Sequence, residues 1–269
     1  MSIPSVDDAT AVEIRRRLER VESEEDVVIG LAVESGSRAW GFWSKDSDYD
    51  VRFIYVRRPE AYLSIRAKRD VIERPIVDEI DLNGWDLKKA LGLFMKSNPP
   101  LLEWLQCPFV YRQRSSLAER MRALLPDYWS PSASFVHYLH MAKGNLREYL
   151  RGDTVWRKKY FYVLRPLLAM RWIERGLGPV PIEFARLVEA TVDAPPLRHA
   201  IDELLVAKRA GAELDEGPRI PELSNFVESE LHRHETKEHE RNDPTPSVAR
   251  LDALFRATLK EVWGASLPD

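Results

Sequence analysis

Two aspartates, Asp48 and Asp50, stand at the start of an apolar run covering residues 51–56. Side chains alternate faces along a strand, so both carboxylates point the same way. Like charges held side by side repel, and a divalent cation is the usual remedy. Upstream, Gly36-Ser37 follows a second apolar run, residues 27–33. A glycine turn after a buried strand can aim backbone N–H groups and a hydroxyl at a phosphate. A metal and a phosphate are therefore the chemistry this stretch suggests. The residues alone name no reaction.

The order Glu34-Ser35-Gly36-Ser37-Arg38-Ala39-Trp40-Gly41, followed by Asp46-Ser47-Asp48-Tyr49-Asp50-Val51-Arg52-Phe53, carries a resemblance. It resembles the DNA polymerase beta-like nucleotidyltransferase superfamily, whose signature is Gly-Ser, a spacer, then Asp-x-Asp. Within it, the wording is similar to the RNA-ligase-associated predicted nucleotidyltransferase family of bacteria and phages. The resemblance implies a third acid on a neighbouring strand, flanked by apolar residues. Ile80-Asp81-Leu82 matches that pattern, and Glu79 is the competing acid. It further implies two magnesium ions, with manganese as a substitute, held by Asp48, Asp50 and Asp81. Gly36, Ser37 and Arg38 would then meet the triphosphate of an NTP, ATP first among them. Arg38 equally suits a structural ion pair.

The segment from Lys158-Lys159-Tyr160 to Arg165-Pro166-Leu167-Leu168 also resembles the family. By that resemblance Lys143, Lys158, Lys159, Tyr160 and Arg165 are candidate nucleotide contacts, Lys143 and Lys159 foremost. A packed helix with a basic rim explains the same residues. RNA ends are the implied acceptor, through the family and not through any residue here. Two further readings stay open: nucleotide binding without turnover, and nucleotidylation of a protein or small molecule.

The elements that must position these residues define an α+β chain. A nucleotidyltransferase fold, a small mixed sheet flanked by helices, is expected over residues 1–126. An α-helical domain completing the nucleotide and acceptor cleft is expected over residues 127–269. Ala11, Ile14, Leu18 and Val21 make one apolar helical stripe, with Asp7 or Asp8 as cap. The arginines around it, Arg15, Arg16, Arg17 and Arg20, read as a solvated face. After the strand of residues 51–56, strands are predicted near residues 71–73 and 77–82, with Glu79 and Asp81 sharing a face. A helix is predicted from Gly84 to about Lys96, with Trp85 and Trp104 as packing residues. Residues 109–111 suggest an edge strand, residues 117–125 a helix, and Pro126-Asp127 a domain joint. Helices follow at 135–149, 158–174 with a kink or break near Pro166, 181–190, 197–210 and 248–262. Residues 213–221 read as a loop. Residues 223–240 read as an exposed charged helix carrying His232, His234 and His239.

Bulk properties narrow the classes. At 269 residues the chain has room for one large or two modest domains. A hydrophobic content of 44% is that of a globular protein. The net charge of −3 lends no global basic field for nucleic acid, so any such contact must be local. A single cysteine, Cys107, excludes an internal disulfide framework and a cysteine zinc cluster. No basic-then-apolar leader and no apolar run of about 18 residues is visible, so a cytoplasmic protein without a membrane span is expected.

Overall fold

The computed structural model describes residues 6–211, 216–234 and 243–264. It opens with α1 (Asp8–Glu25), whose cap Asp7 accepts a hydrogen bond from the Thr10 N–H. The buried positions of α1 are Ala11, Ile14, Leu18 and Val21, the stripe read from sequence. The strand β1 (Val27–Glu34), the short helix α2 (Gly36–Trp40) and β2 (Tyr49–Arg57) follow. Next come α3 (Pro59–Tyr62), β3 (Val71–Glu73), β4 (Ile80–Asp86), α4 (Leu87–Met95) and α5 (Pro99–Gln106). The strand β5 (Val110–Gln113) and helix α6 (Leu117–Tyr128) complete this part. The five strands form one mixed sheet in the order β3-β4-β2-β1-β5. β2 and β4 run parallel, and the other neighbours are antiparallel.

Three expectations need correction in this region. The helix expected from Gly84 begins at Leu87, because Gly84, Trp85 and Asp86 complete β4. Gly84 is there for space: a Cβ at that position would lie 2.0 Å from the Phe53 ring. Glu79 does not share a strand face with Asp81. It lies exposed in the turn before β4, with a positive φ of 61°. Pro126 does not end α6, which runs on to Tyr128. Trp85 and Trp104 do pack, with ring centroids 3.9 Å apart.

The remaining helices are α7 (Pro131–Tyr149), α8 (Tyr160–Glu174), α9 (Phe184–Thr191), α10 (Pro195–Arg209) and α11 (Pro221–Arg233). With them goes a two-stranded ribbon, β6 (Thr154–Trp156) paired with β7 (Glu216–Pro218). β7 falls in the stretch that reads as loop from sequence. A 3-10 turn, Arg157–Lys159, leads from β6 into α8. α8 is continuous through Pro166. A proline has no N–H, so the Tyr162 carbonyl four residues back loses its helical donor. The Asn145 side chain supplies one instead, at 3.2 Å. α11 is not the exposed helix expected: Leu223, Phe226, Val227 and Leu231 are buried in the helical core, and His234 just beyond is buried too. His239 lies outside the described residues. The last helix is α12 (Val248–Trp263).

By its contacts the chain forms two compact units. The sheet unit takes the described residues up to Ala39, Asp48–Trp129, and those from Pro244 onward. It thus includes α12, which sequence periodicity groups with the helical half. Its core packs α1 onto one face of the sheet through Ile14, Leu18 and Val21 against Ile29, Val51, Phe53 and Leu82. The helical unit takes Trp40–Ser47 and the described residues from Ser130 to Asp243. Phe42 belongs to its core, stacked on Phe161 at 4.6 Å.

Candidate active site

The parallel pairing of β2 with β4 places Asp50 directly beside Asp81. Asp50 is the second residue of β2 and Asp81 the second of β4, so strand register alone brings the two carboxylates together. Arg52, two residues on and on the same face as Asp50, reaches both. Its Nη2 donates to Asp50 Oδ1 at 2.8 Å and to Asp81 Oδ2 at 2.8 Å. Its Nη1 donates to the Asp81 carbonyl at 3.1 Å. One guanidinium is thus shared by two carboxylates. Sequence reading missed Arg52 as a site residue, although the strand alternation expected to align Asp48 with Asp50 extends to it; Asp48 in fact lies just before the strand.

Gly36 is fixed by the same acid. It has φ +58°, and a Cβ there would stand 1.9 Å from Asp50 Oδ2. Any side chain would displace the carboxylate, so the glycine of the Gly-Ser turn gives Asp50 its room. Ser37 is buried beside it, 7% exposed. Glu34, fully buried at the end of β1, accepts from the Asp50 N–H at 2.9 Å and from the Tyr111 hydroxyl. Arg38 Nε donates to the Asp48 carbonyl at 3.1 Å, and its guanidinium lies 3.8 Å from the Tyr49 ring centroid. Arg38 therefore ties α2 to the start of β2.

The local field is strongly negative. Burial pushes the Asp50 carboxyl above the usual range, and Asp81 and Asp48 push it further against the pull of Arg52. Burial likewise raises Glu34 to about 7, although Tyr111 and the Asp50 N–H oppose the rise. Asp48 precedes β2 and is exposed. It acts on Asp50 through charge, yet among the described residues no three His, Cys, Asp or Glu side chains are gathered as a metal-binding group. The structure thus joins Asp50 and Asp81, and leaves Asp48 beside the pair. The donor chemistry still suits a hard cation: carboxylate oxygens are what magnesium takes, and a positive group already bridges them.

Sequence comparison is decisive for kinship. A profile of the RNA repair pathway DNA polymerase beta family matches residues 11–257. The chain belongs to that family. Membership groups it with the polymerase beta-like nucleotidyltransferases. It is 47% identical over 247 residues to the uncharacterized protein YcgL of Bacillus subtilis (strain 168), covering 91% of this chain and 95% of that protein. A solved nucleotidyltransferase-like protein from Exiguobacterium sibiricum 255-15 aligns over 92% of this chain and 76% of its own, at 13% identity and a TM-score of 0.31. That value is too low to bear on the site.

The remaining candidates of this family member lie in its helical unit. Tyr160 is 1% exposed. Its hydroxyl shares a hydrogen bond with Ser224 Oγ at 2.6 Å and accepts from the Ile220 N–H at 3.1 Å. It fastens α8 to α11 rather than facing a ligand. Arg165 is buried, stacked 4.7 Å from Trp40 and donating to the Ile182 carbonyl. Lys143 is half-buried on α7. Lys159 sits between two tyrosines, its Nζ 4.5 Å from the ring centroids of both Tyr149 and Tyr162. Cys107 is buried with its thiol pushed up to about 12, no nucleophile at neutral pH. No helix among the described residues is long and apolar enough to cross a membrane.

Proposed function

We propose that the protein transfers a nucleoside monophosphate from an NTP to an acceptor hydroxyl on RNA, with ATP the first nucleotide to try. The observation that carries the reading is the surplus of carboxylate at Asp50 and Asp81, which share one guanidinium against a glycine made bare for them. Family membership supports the reaction class. Asp50 and Asp81 would hold magnesium, or manganese in its place, with Asp48 adding charge from the loop before β2. Such an ion neutralises phosphate charge and makes an acceptor hydroxyl more acidic. The chain's own groups do the rest. Glu34 and Gly36 fix Asp50 from two sides, one through its N–H and one by leaving space. Asp81, about a quarter exposed, accepts the acceptor proton. Gly36, Ser37 and Arg38 form the rim for the triphosphate.

A second reading, nucleotide binding without turnover, is favoured by one observation. Arg52 already bridges the acid pair, and no three-acid metal group is assembled among the described residues. Labelled ATP and magnesium, offered with RNA, protein and small-molecule acceptors, separate the two. Transfer of label to RNA with pyrophosphate release supports the first reading. Bound ATP without release supports the second. Asp50→Asn removes a charge but little volume, so transfer should fall roughly 10³-fold or more while the fold persists. Wild-type transfer in that variant would refute the assignment.

A further inference from the structure

The helical unit gathers cations in one place. Arg157, Lys158 and Lys159 occupy a single 3-10 turn. Lys159 is clamped by Tyr149 and Tyr162, and Lys158 Nζ lies 5.2 Å from the Trp156 ring. Lys208, from the last turn of α10, acts on the same group from a distant part of the chain. Burial lowers the Lys208 ammonium first, and Lys158 and Lys159 lower it further. Lys159 is lowered by burial and by Lys158, with Glu148 the opposing charge. Glu216 is the cross-strand neighbour of Trp156, and so the nearest acid on the ribbon. The Arg157 stem is packed against Gly217, where a Cβ would come within 2.8 Å of Cδ. Its Nε is sealed from water and meets no acceptor among the described residues.

An anion that reaches several amines which depress one another is stabilised by all of them at once. The aromatic partner shows which anion. Trp156 is 38% exposed, an open indole on the ribbon beside this turn. A mononucleotide would bring one base and gather its phosphates at one point, whereas these cations come from two separate elements, the 3-10 turn and α10. A single strand uses ring and cations together, stacking a base on the one and laying its phosphates along the others. We infer that Trp156, Arg157, Lys158, Lys159 and Lys208 form a binding site for single-stranded RNA on the helical unit. The site rests on the reading above for RNA as acceptor class. It also answers the net charge of −3, since the basic field is local.

The test is fluorescence anisotropy with a labelled single-stranded RNA oligonucleotide over a range of salt, alongside ATP binding by equilibrium dialysis. Circular dichroism confirms that each variant is folded. Trp156→Ala should weaken RNA binding roughly 5- to 100-fold, and Trp156→Phe should restore most of it. Lys208→Ala should weaken RNA binding and flatten the slope of log affinity against log salt by about 0.7. ATP binding should be unchanged in all three. Wild-type RNA binding by folded Trp156→Ala and Lys208→Ala proteins would overturn the site. Loss of ATP binding with RNA binding intact in Lys208→Ala would also overturn it, assigning the amines to the nucleotide. Asp50→Asn should still bind RNA. A strand that binds normally to a protein unable to transfer, or transfer without this site, tells failure of one proposal from failure of the other.

Discussion

Two clusters of arginine and carboxylate in this protein reach opposite electrostatic ends. In the helical unit Glu230, on α11, is 4% exposed and receives hydrogen bonds from Arg171 at 2.7 Å and Arg233 at 2.8 Å. Burial alone would raise it, but two guanidiniums outweigh that and hold it at about 2. That cluster, with Glu174 also on Arg233, matches guanidiniums to carboxylates; in the sheet unit Asp50 and Asp81 share Arg52 alone, and burial with the neighbouring acids leaves Asp50 raised. The first cluster is complete and serves stability. The second is short of positive charge, which is the ground for the cation proposed there. Perturbed carboxylates of the second kind concentrate at functional sites.

The contrast can be broken most forcefully at its finished half. Glu230→Gln leaves Arg171 without this carboxylate and Arg233 with Glu174 alone. Both guanidiniums are partly exposed and Arg233 keeps Glu174, so the cost is about 3 kcal/mol, the low end for breaking a buried pair. Thermal unfolding should show it as a drop of several degrees or more, with transfer by the surviving folded protein unchanged. A drop no larger than that of a surface substitution would show that the cluster is not the helical unit's electrostatic anchor.

The acid limb of stability reads the same cluster by pH. The folded value of Glu230, about 2, lies below its unfolded one, near 4.5. Between these the unfolded chain binds the extra proton, so stability rises with pH. The contribution is complete above about pH 4.5 and lost as pH falls toward 2, on the order of 2–3 kcal/mol. The Glu230→Gln protein should lack that part of the acid dependence. An acid limb identical to wild type would assign it elsewhere.

Arg52→Met sharpens the other half. Without its guanidinium the Asp50–Asp81 pair loses its counter-charge, and the metal-free protein should lose about 1–3 kcal/mol. Magnesium should then stabilise the variant by more than it stabilises wild type. Equal magnesium shifts would mean that Arg52 and the ion do not share these carboxylates. The smallest effect is expected at Tyr160→Phe. Loss of its contacts to Ser224 and Ile220 should cost about 1–2 kcal/mol and leave ATP affinity alone. Weaker ATP binding would restore the tyrosine to the nucleotide site.

What can be read in advance follows from how local the signal is. α1, β1 and β2 declare themselves by apolar spacing within one segment, Asp50 by its place at a strand start, and Asp81 by the resemblance carried on Ile80-Asp81-Leu82. Gly84 misleads because its reason, the Phe53 ring of another strand, is absent from its own neighbourhood. α11 looks exposed because Leu223, Phe226, Val227 and Leu231 line one narrow face of a charged stretch. The β6–β7 ribbon has three residues in each strand, too few for a period to register. Lys208 joins Lys158 and Lys159 only through tertiary folding of α10. Arg52 is different: its alternation with Asp50 is visible, and only its charge makes it look like surface.

Magnesium binding at the Asp50–Asp81 pair, as proposed above, can be read without any acceptor or nucleotide. The most direct measurement is the unfolding temperature of wild type and Asp50→Asn across a magnesium titration. A ligand bound only by the folded state stabilises it in proportion to the logarithm of its concentration above Kd. Wild type should show a magnesium-dependent rise that Asp50→Asn abolishes. No rise in wild type, or the same rise in both proteins, would contradict binding at this pair.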